Sequence, residues 1–269
     1  MKNIISKLRH KYRLLTAERR PLPDFIIIGA QKAGTTSLFK YLSMHHALQP
    51  SITTKELHFF DSNYDKGEKW YRSNFPVVEE NTLCYEASPS YLLHPCVPER
   101  AAAMLPEAKL IVLLRNPVYR AYSSYQHQVR AGRETLSFEE ALAQEELRVA
   151  EEKERLLHDP AFIAKKFRHF SYAERGMYVQ QIKRWLNYFS REQMLILESE
   201  QFWQSPETTF SRIFEFLGVE SISLPVKKKY NTGNYSKGMD PQTHEQLVKL
   251  YQPFNEELFD YLGERFDWE

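Results

Sequence analysis

With 269 residues, 42% hydrophobic and 14% aromatic, the chain can build the core of one large α/β domain, or of one with a substantial insertion. The 36 basic and 35 acidic residues leave a net charge of +1, which excludes the global basic field of a nucleic-acid binder. Cys84 and Cys96 make neither a disulfide framework nor a zinc site, and fit a reducing, cytoplasmic compartment. No apolar run approaches the length of a bilayer span. Residues 1–22 read as a basic leader carrying Lys2, Lys7, Arg9, Lys11, Arg13, Arg19 and Arg20, with Ile4, Ile5, Leu8, Tyr12 and Leu15 at helical spacing. Ile4-Ile5 is too short for the apolar core of a signal peptide. Two readings stand: a helix packed on its own domain, or one in weak contact with an anionic membrane surface. Pro21 and Pro23 punctuate the entry to the first strand.

Phe25 to Ile28 reads as a buried parallel strand that breaks at Gly29. A loop with Lys32 and Gly34 follows, and Thr35 opens an amphipathic helix through Leu38, Phe39 and Leu42. Strand, glycine loop and helix is the plan of a phosphate cradle, in which unpaired N–H groups and the positive end of the helix dipole face an anion. The nucleoside-triphosphate form of this loop, G-x-x-x-x-G-K-[ST], sets the lysine directly after its second glycine. Here Gly34 is followed by Thr35-Thr36, and the lysine lies inside the loop at position 32.

Farther on, Thr82 to Glu86 reads as a short strand, Pro98 to Met104 as a helix, and Lys109 to Leu114 as the second clear core strand. Pro117 suits the first turn of a helix running through Tyr125 and Val129. Ser137 with Glu140 resembles a capping box, and the Glu- and Arg-dense stretch from Phe138 to Arg155 reads as a solvated helical arm within 132–171. A helix is expected from Tyr172 to Phe189, a strand from Met194 to Leu197, and a helix from Pro206 to Leu217 with Gly218 as its stop. Lys227 to Gly238 reads as a loop, and Asp240-Pro241 opens a last helix ending near Gly263. This alternation predicts an α/β, P-loop-like three-layer fold: a central parallel sheet flanked by helices, as a single domain over 23–269.

Nucleoside-triphosphate enzymes carry an acid at the end of a neighbouring strand to hold Mg²⁺. The strand Leu110 to Leu114 ends instead in Arg115, whose guanidinium suits a phosphate and cannot bind a metal. Arg115 with Ser123 of the next helix is expected to form a second phosphate pocket away from the first loop. Two anion sites suit a nucleotide phosphorylated at both its 5′ and 3′ positions.

The ordered set of segments resembles the sulfotransferase family, nearest the branch acting on heparan-type polysaccharides. It runs through Gln31-Lys-Ala-Gly-Thr-Thr36, Glu56-Leu-His-Phe-Phe-Asp61, Lys66-Gly-Glu-Lys-Trp-Tyr71, Tyr85-Glu-Ala-Ser88, Arg115-Asn-Pro with Arg120-Ala-Tyr-Ser-Ser-Tyr-Gln-His127, Gly176-Met-Tyr178 with Trp185-Leu186, Tyr251-Gln-Pro-Phe-Asn255 and Phe266-Asp-Trp268. The resemblance implies the donor 3′-phosphoadenosine 5′-phosphosulfate (PAPS), the product 3′,5′-ADP and no metal. Lys32 would then neutralise the leaving oxygen, while Ala33, Gly34, Thr35, Thr36 and Ser37 hold the 5′-phosphate. It also implies that Glu56 is the base activating the acceptor. Leu57, Phe59 and Phe60 around Glu56 would desolvate it and raise its proton affinity; the alternative is a surface glutamate paired with Lys55. His58 reads as a reserve base, an orienting group or a structural residue.

Tyr178 is placed near the nucleotide by resemblance, or in the helix core by its spacing. By resemblance Tyr230 is a second aromatic candidate near the adenosine, and the late loop with Ser236-Lys237-Gly238 would close over the 3′-phosphate or form a surface turn. Met239 stands where relatives carry an arginine, so Lys227, Lys228 or Lys229 could serve there instead. Ala87 replaces a lysine of the heparan enzymes, and the paired cysteines of their late loop are missing, so a heparan-like acceptor is not supported. The arm 132–171 is expected to border the acceptor cleft; a small-molecule or carbohydrate acceptor is expected, and the arm's mixed charge does not separate a sugar, a lipid headgroup and a small alcohol. The competing readings are a P-loop nucleotide kinase and a non-catalytic nucleotide-binding module on the same fold.

Overall fold

The computed structural model describes residues 2–159, 161–226 and 238–268. Tyr230, Ser236, Lys237 and Lys227 to Lys229 lie outside the described residues, and Gly238 is exposed and outside regular structure. In chain order the elements are α1 (Lys2–Leu15), β1 (Phe25–Gly29), α2 (Thr35–Leu42), β2 (Leu48–Pro50), α3 (Phe59–Ser62), α4 (Gly67–Arg72), β3 (Leu83–Ala87), α5 (Val97–Met104) and β4 (Lys109–Leu114). There follow α6 (Pro117–Arg130), α7 (Phe138–Ala143), α8 (Glu145–His158), α9 (Lys165–Phe170), α10 (Tyr178–Leu186), β5 (Met194–Glu198), α11 (Ser199–Gln204), α12 (Pro206–Leu217) and α13 (Pro241–Leu262).

Among the described residues the strands form one parallel sheet in the order β2-β3-β1-β4-β5, flanked by helices. β1 lies in the middle, with Phe25 opposite Tyr85 on one side and Lys109 on the other. All five β1 residues are buried, which is why the strand reads as an unbroken apolar run. The chain turns from β1 to one half of the sheet and then crosses to β4 and β5. The carboxyl end of β1 is therefore the topological switch point, where such sheets bind ligands. A side chain at Gly29 would lie 2.6 Å from Leu92 Cβ, so only glycine lets the strand end approach its neighbour.

Local signals explain most boundaries. The Asn116 side chain caps α6 by accepting from Val118 N–H at 3.0 Å. Ser137 and Glu140 form the expected capping box. Gly218 and Gly263 end their helices at positive φ. Two expectations change. The arm is three helices, α7 to α9, and the expected helix from Tyr172 begins only at Tyr178. Tyr172 is drawn out of it: Arg120 donates to its carbonyl and its hydroxyl donates to Glu134 at 2.8 Å.

The leader also differs from a helix that packs its apolar stripe inward. Leu8, Tyr12 and Leu15 are 62%, 64% and 77% exposed. Anchorage comes instead from beyond the helix, where the buried Arg20 donates to the Phe75 carbonyl at 2.5 Å. Among the described residues no helix is long and apolar enough to cross a membrane.

Candidate active site

The loop after β1 is drawn in by Ala30 N–H donating to the Leu113 carbonyl at 2.7 Å. It then turns through two positive-φ residues, Lys32 at 72° and Gly34 at 101°. A lysine in the left-handed region is strained, a feature concentrated at ligand sites. The turn frees the N-terminus of α2 toward the same space, where Thr35 and Ser37 are buried and Thr36 is partly exposed. Burial lowers the Lys32 ammonium to about 8, with help from Arg130 and Arg115, while Glu56 opposes the fall. The loop thus concentrates positive charge that Glu56 offsets only in part, the condition that favours a bound anion.

Arg115 does not stand apart from this loop. Its Nη1 donates to the Lys32 carbonyl at 3.2 Å, so the two expected anion grips adjoin. Tyr178 is core by burial, yet its hydroxyl donates to the Arg115 carbonyl at 2.8 Å and fixes the strand end. Ser123 is buried in α6. Position 123 begins a series, with His127 and Arg130, at the i, i+4, i+7 spacing of one helix face. Lys32, Arg133 and Arg130 help burial to lower His127, whereas Glu56 raises it. His127 and Arg130 therefore lie within electrostatic reach of Lys32, and that spacing was the signal for them.

Glu56 precedes the short helix α3 and faces this charge. Lys55 Nζ lies 3.1 Å from its Oε1 and His58 Nε2 lies 3.3 Å from its Oε2. The pairing with Lys55 is therefore present, His58 joins it, and together they reverse the expected titration. Burial works to raise the carboxyl, but the bonds from His58 and Lys55 win and bring it down to about 2. The side chain stays 43% exposed, open to an incoming group.

His58, at φ 50°, also offers Nδ1 to Asp61 Oδ2 at 2.9 Å. Burial opposes its charge, but Asp61 and Glu56 outweigh burial and raise the imidazole to about 9. At neutral pH it is a cation with both nitrogens engaged, which leaves no lone pair for a reserve base and fits an orienting group. Asp61 is held in turn by the Ser90 hydroxyl at 2.6 Å.

A strand-end acid does exist, on the other neighbour of β1. Glu86 of β3 is fully buried and accepts from Tyr71, Tyr91 and Ser88 hydroxyls at 2.7, 3.1 and 2.7 Å. Three donors occupy it, so it is not poised for a metal.

Fold and site define an anion-binding α/β enzyme with a cationic loop facing a carboxylate, and the comparisons place it. The sulfotransferase domain description matches residues 22–259, and the chain belongs to that family. Over 93% of its length it is 31% identical to human heparan sulfate glucosamine 3-O-sulfotransferase 6, covering 75% of that protein. It is 32% identical over 81% of its length to the bifunctional heparan sulfate N-deacetylase/N-sulfotransferase 1 of Caenorhabditis elegans, of which it spans 24%. The crystal structure of a sulfotransferase from Alicyclobacillus acidocaldarius matches with a TM-score of 0.72 and 33% identity, over 91% of this chain and 97% of that one. The chain is thus a sulfotransferase, in place of the kinase and non-catalytic alternatives.

Proposed function

We propose that this sulfotransferase takes its sulfuryl group from PAPS, releases 3′,5′-ADP, and passes the group in line to a hydroxyl or amine of a small-molecule or carbohydrate acceptor. The observation that carries the reading is electrostatic: Glu56 acts on the half-buried Lys32, and Arg115 is tied to the same loop. The residues fit the donor. The strained turn and the α2 N-terminus suit its 5′-phosphate through Ala33, Gly34, Thr35, Thr36 and Ser37. Arg115 and Ser123 suit its 3′-phosphate, which the late segment Tyr230 and Ser236-Lys237-Gly238 would cover. The donor brings an activated sulfuryl group.

Lys32 neutralises the charge that grows on the departing phosphate oxygen. Glu56 accepts the acceptor's proton. A carboxylate held at about 2 is a weak base toward a resting alcohol. It suffices once the new S–O bond begins to form, because that bond acidifies the attacking group. His58 and Asp61 keep the carboxylate aimed. Transfer of label from ³⁵S-PAPS to an acceptor panel tests this, with Lys32→Ala and Glu56→Gln expected to abolish turnover. A purified protein that binds neither PAPS nor 3′,5′-ADP refutes it.

Residues 23–269 act as one domain in this reading, with arm 132–171 bordering the acceptor. The free cysteines, of which Cys84 is pushed up to about 12 by burial, support a reducing, cytoplasmic setting. The exposed stripe Leu8, Tyr12 and Leu15 lies on a helix that has no acidic residue and carries Lys7, Arg9, Lys11 and Arg13. That combination favours weak contact with an anionic membrane surface. Sedimentation with phosphatidylglycerol vesicles but not phosphatidylcholine ones, lost in Leu8→Ser/Leu15→Ser, is the expected outcome. Equal recovery with both lipids, or with neither, overturns it.

A further inference from the structure

The Glu86 carboxylate accepts hydroxyl protons from Tyr71, Tyr91 and Ser88. A hydroxyl has one proton to give. Having given it to Glu86, Ser88 and Tyr91 can only accept on their other side. What they accept is the start of α3: His58 N–H donates to Ser88 Oγ at 3.2 Å, and Phe59 and Phe60 N–H donate to Tyr91 Oη at 2.7 and 3.3 Å. These are N–H groups that the first turn of a helix cannot satisfy itself. α3 spans only Phe59–Ser62 and has no side-chain cap of its own. The relay replaces that cap from beneath.

It acts on an unusual segment. His58 carries a side chain at φ 50°, a conformation that persists only where its surroundings impose it. The Asn63 amide braces the other side by donating to the Leu57 and His58 carbonyls, both at 3.0 Å. Ser88, Tyr91 and Tyr71 are buried with Glu86, so no exposed group can substitute for a lost bond. From His58 outward the positioning continues, through Nε2 to Glu56 and through Nδ1 to Asp61.

We propose that Glu86 is a positioning residue for sulfuryl transfer: through Ser88 and Tyr91 it fixes the backbone of residues 58–60, and thereby aims Glu56 and His58 at the reacting group. Its ionised form is acceptor-only and sets the direction of every bond in the relay; burial raises the carboxyl to about 7 against the bonds from Tyr71, Ser88 and Tyr91, so the relay is fully set above that pH. The proposal rests on Glu56 being the base, but its physical core is the register of His58, which can be read without turnover.

The test uses Glu86→Gln, Ser88→Ala, Ser88→Thr and Tyr91→Phe in the full chain. Three quantities are measured: kcat with PAPS and an acceptor, Kd for 3′,5′-ADP, and the imidazole titration of His58 by NMR, assigned through His58→Asn. Groups acting on that titration are Glu56, Asp61 and Arg168, with the Ser90 hydroxyl also 3.2 Å from His58 Nδ1, and those acting on Glu86 are Tyr71, Ser88, Tyr91 and His58. Glu86→Gln puts a donor where the relay needs an acceptor. It and Ser88→Ala should lower kcat by about tenfold or more, while 3′,5′-ADP affinity stays within about threefold. The His58 midpoint should fall from about 9 toward 6.5 in the same variants. Ser88→Thr, which keeps the hydroxyl, should restore both.

Should Glu86→Gln fail to fold, Ser88→Ala and Tyr91→Phe carry the test. Folded variants with unchanged kcat and unchanged His58 titration overturn the proposal. If the protein transfers no sulfuryl group from PAPS, the functional reading fails, and the His58 titration still decides the relay.

Discussion

Lys32 offers the sharpest check on how the site meets its donor. Burial, Arg130 and Arg115 hold its ammonium at about 8 instead of the ordinary 10.5. At about 1.4 kcal/mol per pKa unit, that gap costs roughly 3 kcal/mol of charging energy, to order of magnitude. A bound nucleotide with two phosphates would return much of this, because its negative charge favours the ammonium. The free protein at pH 8 then has about half of its Lys32 protonated, and the complex has nearly all of it. Binding of 3′,5′-ADP at pH 8 should take up about 0.5 proton, against about 0.1 at pH 7.

Calorimetry in buffers of different ionisation enthalpy reads this directly. At pH 8 the nucleotide phosphates are already ionised and His127, itself lowered, stays neutral, so neither masks the signal. Lys32→Met should erase the uptake and weaken binding by about 10- to 100-fold, the worth of a charge-assisted contact. The same logic makes kcat/KM for PAPS fall above pH 8, while the alkaline limb of kcat moves higher. A binding enthalpy independent of buffer at pH 8, or proton uptake that persists in Lys32→Met, refutes the placement of the lysine against the phosphates.

Arg115→Ala should weaken 3′,5′-ADP binding by about 10- to 100-fold in calorimetry, since it removes both the proposed phosphate donor and the bond to the Lys32 carbonyl; Arg115→Lys should not restore it, because the planar fork is lost. His58 links stability to pH. Its folded pKa of about 9 exceeds the usual 6.5, so its contribution is complete below 6.5 and disappears as pH rises through 9. The gap in thermal midpoint between wild type and His58→Asn should therefore narrow across that window. Gly29→Ala should cost about 1–3 kcal/mol in a denaturant titration, because its Cβ would press against Leu92 at 2.6 Å.

The sequence by itself determined the frame, because the frame depends on local signals. Unbroken apolar runs marked β1 and β4, which are buried on both faces. Asn116, Ser137 and Gly218 announced helix ends through capping chemistry that acts over a few residues. The displaced lysine and Glu56 were legible because loop and motif are contiguous in the chain. Shorter elements were not: β2, α3 and α4 have three to six residues and owe their form to neighbours.

What only the tertiary structure decided is the electrostatics, which depends on how side chains turn toward one another, whether near or far apart in sequence. Desolvation alone pointed toward a more basic Glu56; the cations of His58 and Lys55, folded around it, made it a far weaker base. Arg115 and Lys32, 83 residues apart, proved to be joined by a hydrogen bond. Glu86 looked like an ordinary strand residue until Tyr71, Ser88 and Tyr91 closed over it, since only packing sets which hydroxyls a buried acid meets.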